Sequence, residues 1–228
     1  MSRVSFCVAA LAVTAPVGFA QADQCMPFYD RAQFEAFNAA EGKTLEGIET
    51  FEESNIPPEG KEPLPAPIDQ NPNTMFGIGF PNGLTQQNIA IWDNVSPTPN
   101  PPGLNPSGSD FALYVIGTGF FGSKSNKVGG DLFLFTGTPI SLDLVFSDAR
   151  YSGVGFELSW FFLMASWDVS VYDGQGQTIG EFQFLGAPGA EPSTTFFGVW
   201  CAGAIGRINI FDAASPWPDA IVNIEMWR

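Results

Sequence analysis

From Gly153 to Arg228 the chain is an unbroken series of short apolar segments separated by small-residue turns. GVGFELSW, WDVSVYDGQGQTIGEFQFLG, TFFGVWCAGAIGRINIFDAA and DAIVNIEMWR follow one another with no helical period between them. Segments this short cannot bury themselves. Each must pair sideways and then hide one face, which restricts the chain to antiparallel sheets stacked as a sandwich or jelly roll. Apolar residues alternate over Ser141 to Phe146 and over Asp168 to Tyr172, which sets Asp143 and Asp168 on the outward face. Asp173-Gly174-Gln175-Gly176 has the composition of a hairpin connection. With the upstream segments DFALYVIG, DLFLFTG and ISLDLVFS, the expectation is about ten strands of all-β architecture. The dense apolar run Leu158 to Trp167 is too short to span a bilayer and reads as core.

Ahead of this block, MPFYDRAQFEAFNAA (Met26 to Ala40) carries the helical pattern. Asp30 is the expected N-cap, Phe34 and Phe37 fall on one face, and Gly42 ends the helix. That face is expected to lay two phenylalanines across an edge or open end of the sandwich. Thr44 to Glu53 reads as the first strand. Two proline-rich stretches, near 56–73 and 96–109, read as long inter-strand loops. Between them Pro81-Asn82-Gly83 marks a turn. The domain plan is therefore a leader over 1–22, a helical segment over 23–42 and a sandwich over 43–228.

The leader follows from a basic start (Arg3), an apolar run from Val4 to Phe19 and small residues at the cleavage point, after Ala20 or Ala22. Secretion to the periplasm or the outside is the consequence. The chain has 9 basic and 24 acidic residues and a formal net charge of −15; losing Arg3 with the leader makes the mature chain one unit more negative. That charge disfavours nucleic acid and anionic membrane surfaces as partners. The sequence contains no histidine, which removes Ser-His-Asp triads, Cys-His pairs and nearly all catalytic zinc chemistry. Cys25 and Cys201 remain after cleavage, either as one disulfide or as two buried thiols.

The order of elements resembles that of secreted bacterial β-sandwich proteins of the PEP-CTERM-associated type. AQFEAF precedes an acidic-aromatic strand IETFEES; then come VGFEL, the hairpin VSVYDGQGQTIGEF, the run FFGVWCAGAIGRINI and a closing strand IVNIEMW. Phe196 to Ile210 is the most specific piece. After Arg228 there is no PEP motif and no apolar tail, so free secretion without an anchor is expected. The resemblance implies fold and compartment rather than an activity.

In outline the sandwich also resembles jelly-roll carbohydrate-binding modules, many of which hold calcium between their first and last strands. On that likeness Glu49, Glu52 and Glu53 of the first strand, with Asp219, Asn223 and Glu225 of the last, are candidate Ca²⁺ ligands, since this cation takes hard oxygens in flexible geometry. Solvated edge charges are the competing reading. For carbohydrate, Trp217 in SPWPD, with Asp219 or Asp212 beside it, is the candidate stacking ring, against the usual place of tryptophan in a core. A glycoside hydrolase built on two carboxylates, such as Glu49 with Glu157 or Asp143 with Glu181, is the remaining enzymatic alternative. A non-catalytic structural, adhesive or binding protein of the envelope or extracellular matrix, with polysaccharide or matrix protein as partner, asks for no residue the chain lacks.

Overall fold

The computed structural model describes residues 24–94, 113–120, 124–130, 141–148, 150–160, 166–185, 193–212 and 220–228. Among these residues fifteen strands and one helix follow in order: β1 (Cys25–Phe28), α1 (Arg31–Ala40), β2 (Leu45–Glu49), β3 (Lys61–Leu64), β4 (Asn73–Met75), β5 (Ile78–Phe80), β6 (Ile89–Asn94), β7 (Leu113–Ile116), β8 (Lys127–Gly130), β9 (Ser141–Phe146), β10 (Gly153–Trp160), β11 (Ser166–Asp173), β12 (Thr178–Leu185), β13 (Ser193–Cys201), β14 (Ile205–Asp212) and β15 (Ala220–Trp227). The all-β antiparallel sandwich is borne out. An eight-stranded sheet runs β1-β13-β10-β15-β8-β7-β3, with β2 also paired to β15. A five-stranded sheet runs β12-β11-β14-β9-β6, and β4-β5 is a separate hairpin. No helix among the described residues is long and apolar enough to cross a membrane.

The two large sheets face each other across one core. Val154, Phe156, Leu158, Phe197, Val199, Ile224 and Met226 come from the larger sheet; Leu142, Leu144, Phe146, Trp167, Val169, Ile208 and Ile210 come from the smaller. Burying each such side chain is worth about 1.5–3 kcal/mol. The alternation read in β9 and β11 therefore selects the core face correctly. The hairpin at Asp173 forms as expected, with Asp173 Oδ1 accepting from the amides of Gln175 and Gln177, both at 2.8 Å.

Within the N-terminal segment, residues 25–28 form a strand ahead of the Asp30 cap, because β13 offers them an edge: Cys25 pairs with Cys201 and Phe28 with Gly198. The helix begins only where Asp30 caps it, Oδ1 accepting from the Gln33 amide at 2.9 Å. It ends at Gly42, whose φ of 72° is the left-handed value that glycine adopts freely. Phe34 is fully buried against Phe28, Phe196 and Trp227, while Phe37 packs on Trp200. The helix thus lies on the outer face of the larger sheet.

The first strand is shorter than read, stopping at Glu49 before a turn through Phe51, where φ is 61°. The proline-rich stretch 56–73 is not all loop either. Lys61–Leu64 is an edge strand paired with β7, and Pro63 is tolerated there because β3 has a neighbour on one side only in the sheet order. The second proline-rich stretch, 96–109, and the leader lie outside the described residues.

Candidate binding face

The outer face of the five-stranded sheet is where polar and aromatic side chains gather. Cross-strand register lines up Trp92, Asp143, Asn209, Ser170 and Glu181 in one row over β6, β9, β14, β11 and β12. The adjoining row carries Ser141, Phe211, Asp168 and Gln183. On the other side, Val145, Arg207 and Tyr172 follow.

Asp143 does not point to solvent as the alternation suggests. Both it and Arg207 are fully buried, with Arg207 Nε 2.7 Å from Asp143 Oδ1. The guanidinium also lies 5.0 Å from the Tyr172 ring centroid. Burying either charge alone would be costly, so the pair is buried together. Asn209 turns both N–H groups of its amide onto this hub, to Ser141 Oγ at 2.9 Å and Asp143 Oδ1 at 3.0 Å. Its carbonyl oxygen is thereby the atom turned the other way. Burial pushes the Tyr172 hydroxyl above the ordinary phenol range.

Beside this hub is a cleft of about 440 Å³. Ser170 and Asn209, both almost buried, make its floor. Asp168, Glu181, Gln183 and Phe211 make its wall and rim. Asp168, expected outward, is so. Its Oδ1 accepts from Gln183 Nε2 at 2.8 Å, which fixes both side chains. The cleft therefore offers acceptors (two carboxylates, an amide oxygen, a hydroxyl) next to one aromatic ring. Its members lie on three adjacent strands, β12, β11 and β14, so the backbone ladder fixes their spacing.

The expected calcium ligands are not brought to one point. Ile224 faces Glu49 across β15 and β2, while Glu225 faces Ile48, so Glu49 and Glu225 point to opposite sides of the sheet. Glu49 is buried on the core side, its two oxygens accepting from the amides of Phe51 (3.0 Å) and Gln86 (2.9 Å). Burial pushes its carboxyl up to about 7, against the two backbone amides that hold the charged form. Glu52 is exposed, and Glu53 accepts from the Thr85 amide at 2.9 Å. On the outer side, Asn223 sits at a register shift with φ 53° and donates to Glu157 Oε2 at 3.0 Å. Arg31 of α1 closes over this group, 2.9 Å from Glu157 Oε1 and 2.7 Å from Glu225 Oε1. A guanidinium thus stands among the outer oxygens. Among the described residues, no three acidic or thiol side chains come together as a metal group would require. Glu157, proposed as a partner of Glu49 in a hydrolase, lies across the sheet from it.

Sequence reasoning missed Arg31, Arg207 and Lys127. Lys127 is buried with its ammonium on Ser159 Oγ, and burial lowers its pKa to about 8. Each meets its partners through long-range pairing; for Arg207 and Lys127 the local signal is a basic residue inside an apolar strand, and Arg31, at the start of α1, gives none. Trp217 and Asp219 lie outside the described residues. Of the tryptophans, Trp167 is fully buried and Trp227 nearly so. Cys25 and Cys201 are joined in a disulfide between directly opposed residues of β1 and β13.

No family model and no curated protein matches the chain. Among solved structures, the K3 cleaved adhesin domain of Lys-gingipain from Porphyromonas gingivalis W83 is similar at 13% identity and TM-score 0.38, covering 81% of this chain and 100% of that one. The K1 cleaved adhesin domain of the same protein is similar at 10% identity and TM-score 0.37, over 80% and 97%. The enzymatically active domain of tailspike protein 4 from bacteriophage CBA120 is similar at 14% identity and TM-score 0.36, over 61% of this chain and 19% of that one.

Proposed function

We propose that this chain is a secreted, non-catalytic binding protein that attaches to polysaccharide of the envelope or extracellular matrix through the outer face of its five-stranded sheet. The observation that carries this reading is the cleft itself. An acceptor-rich floor and rim beside Phe211 suit a ligand with many hydroxyl donors and an apolar ring face. The leader-like N-terminus supports secretion, and the Cys25–Cys201 disulfide fits an oxidising compartment. A non-catalytic role is supported by the absence of histidine and by the state of Asp143. Asp143, one of the acids considered for glycoside hydrolysis, is fully buried against Arg207 at 2.7 Å, and so is not presented to a glycosidic oxygen.

Affinity electrophoresis of the mature chain through gels containing individual polysaccharides tests this. Retardation by at least one of them, lost in Phe211→Ala and in the double variant Asp168→Asn/Glu181→Gln, is expected. Unretarded migration in every gel would overturn it, as would equal retardation of folded variants.

A further inference from the structure

The sign of charge in the cleft is fixed more firmly than its shape. Its lining holds two carboxylates, Asp168 and Glu181, and no lysine or arginine. After Arg3 the chain has eight basic residues, nine in all less that one. Every one of the eight is described, and the basic residue on this face, Arg207, is buried against Asp143. Of the other seven, Arg31 is held on Glu157 and Glu225, Lys61 over the Tyr114 ring, Lys127 on Ser159, Arg150 on Glu46 and Asp148, and Arg228 on Glu46, while Lys43 follows α1 and Lys124 precedes β8, neither of them lining the cleft. The stretches outside the described residues hold no lysine or arginine after Arg3; their charged residues are Asp23, Asp110, Asp131, Glu191 and Asp219.

Donors are also scarce there. Asn209 spends both amide N–H groups on Ser141 and Asp143, and Gln183 gives one to Asp168. Oxygens that accept therefore outnumber groups that donate. A neutral acetamide or hydroxyl would leave two carboxylates at this cleft without a counter-charge, whereas an ammonium supplies both charge and donors. Phe211, Ser170 and the Asn209 oxygen still call for a ring with hydroxyls. From these we infer that the ligand is a polysaccharide with free amino groups, its ammonium lying between Asp168 and Glu181. This rests on the polysaccharide reading above and adds the charge of the sugar.

Calorimetric titration of the mature chain at pH 6 separates the two. The titrants are a glucosamine tetramer, its fully N-acetylated form, a glucose tetramer and tetralysine, each at low and at 0.15 M salt. The expected result is one glucosamine tetramer per chain, bound about tenfold more tightly than the N-acetylated form, as a charge-assisted hydrogen bond provides. Asp168→Asn and Glu181→Gln, each conservative in shape, are expected to erase that difference while leaving the melting temperature in place. Equal binding of the glucosamine and glucose tetramers would overturn the charge inference and leave the polysaccharide reading standing. Tetralysine binding as tightly as the amino sugar would mean a cationic peptide ligand and overturn both. Several glucosamine tetramers per chain, unaffected by either variant, would mean ion exchange on an acidic surface and overturn the inference. Binding of none of the four would overturn both.

Discussion

Gly155 and Gly198 face each other across β10 and β13, and the Phe34 ring fills the space their absent side chains leave. A methyl at Gly198 would lie 2.8 Å from two Phe34 ring carbons, and one at Gly155 would meet Phe34 and Phe196 at the same distance. The glycine in VGFEL and that in FFGV are thus one receptor for the helix. Gly198→Ala must displace a fully buried ring, at a cost of about 1–3 kcal/mol. For a domain of this size that lowers the melting temperature by about 2–4 °C per kcal/mol. The double variant Gly198→Ala/Phe34→Leu should lose less than the sum of its parts; strict additivity in thermal melts would sink the account.

Among the described residues Arg31 is the cation paired with Glu225, which is only 2% exposed, and it also serves Glu157. Burial pushes the Glu225 carboxyl up, and Arg31 opposes the shift. Because Arg31 is itself about one-third exposed, its removal is screened. Arg31→Ala is expected to cost about 1–3 kcal/mol rather than the full penalty of an orphaned buried charge. Melts of the wild type should be indifferent to millimolar calcium or EDTA, since the guanidinium holds the seat. Arg31→Ala, which frees Glu157, Asn223 and Glu225, is the form expected to gain a calcium-dependent rise. A calcium shift in the wild type, absent from the variant, would reverse this reading.

Glu49 gives stability a pH dependence of definite sign. Its folded pKa of about 7 lies above the unfolded value of 4.5, so between these values the folded state holds the extra proton. That contribution is complete below about pH 4.5 and is lost as the pH rises through 7; its size is on the order of 3 kcal/mol at most. Glu53, next to it, raises the value further as its own charge develops. Urea titrations from pH 4.5 to 8 should show a downward slope that flattens in Glu49→Gln. Parallel slopes for the two proteins would exclude Glu49 as the source.

The Cys25–Cys201 bridge closes a loop of 176 residues. By the chain-entropy estimate that is worth about 5 kcal/mol. Cys25→Ser/Cys201→Ser should unfold at markedly lower urea than the wild type, and reductant should lower the wild type to the same midpoint. A reductant effect that persists in the double variant would point away from this bond.

Much of this fold is local in origin and was legible for that reason. Asp30 caps, Gly42 stops and Asp173 turns through bonds to amides a few residues away, so composition suffices to find them. The core faces of β9 and β11 follow from alternation alone. The strand Cys25–Phe28 is not legible locally, because its pairing partner lies beyond residue 197 and no local pattern announces it. Alternation sets Asp143 on the outer face but does not say that neighbours on that face bury it; its partner, Arg207, is 64 residues on. The placing of Glu49 and Glu225 on opposite faces of the sheet follows from the pairing of β2 with β15, and the guanidinium beside Glu225 comes from a helix whose docking is itself long-range, so neither is legible locally. The cleft could not be read at all, since its residues come from three strands whose order in the sheet is not their order in the chain.

Among the described residues β1 pairs with β13 alone, so the first strand to be synthesised must wait for a neighbour far along the chain. Cys25 finds its partner only after residue 201 has been made, and the pit for Phe34 exists only once β10 and β13 lie side by side. Formation of this one covalent bond therefore marks the arrival of β13, with β14 and β15 still to come. A nascent chain in which Cys25 is already oxidised has either reached β13 or paired with a stranger.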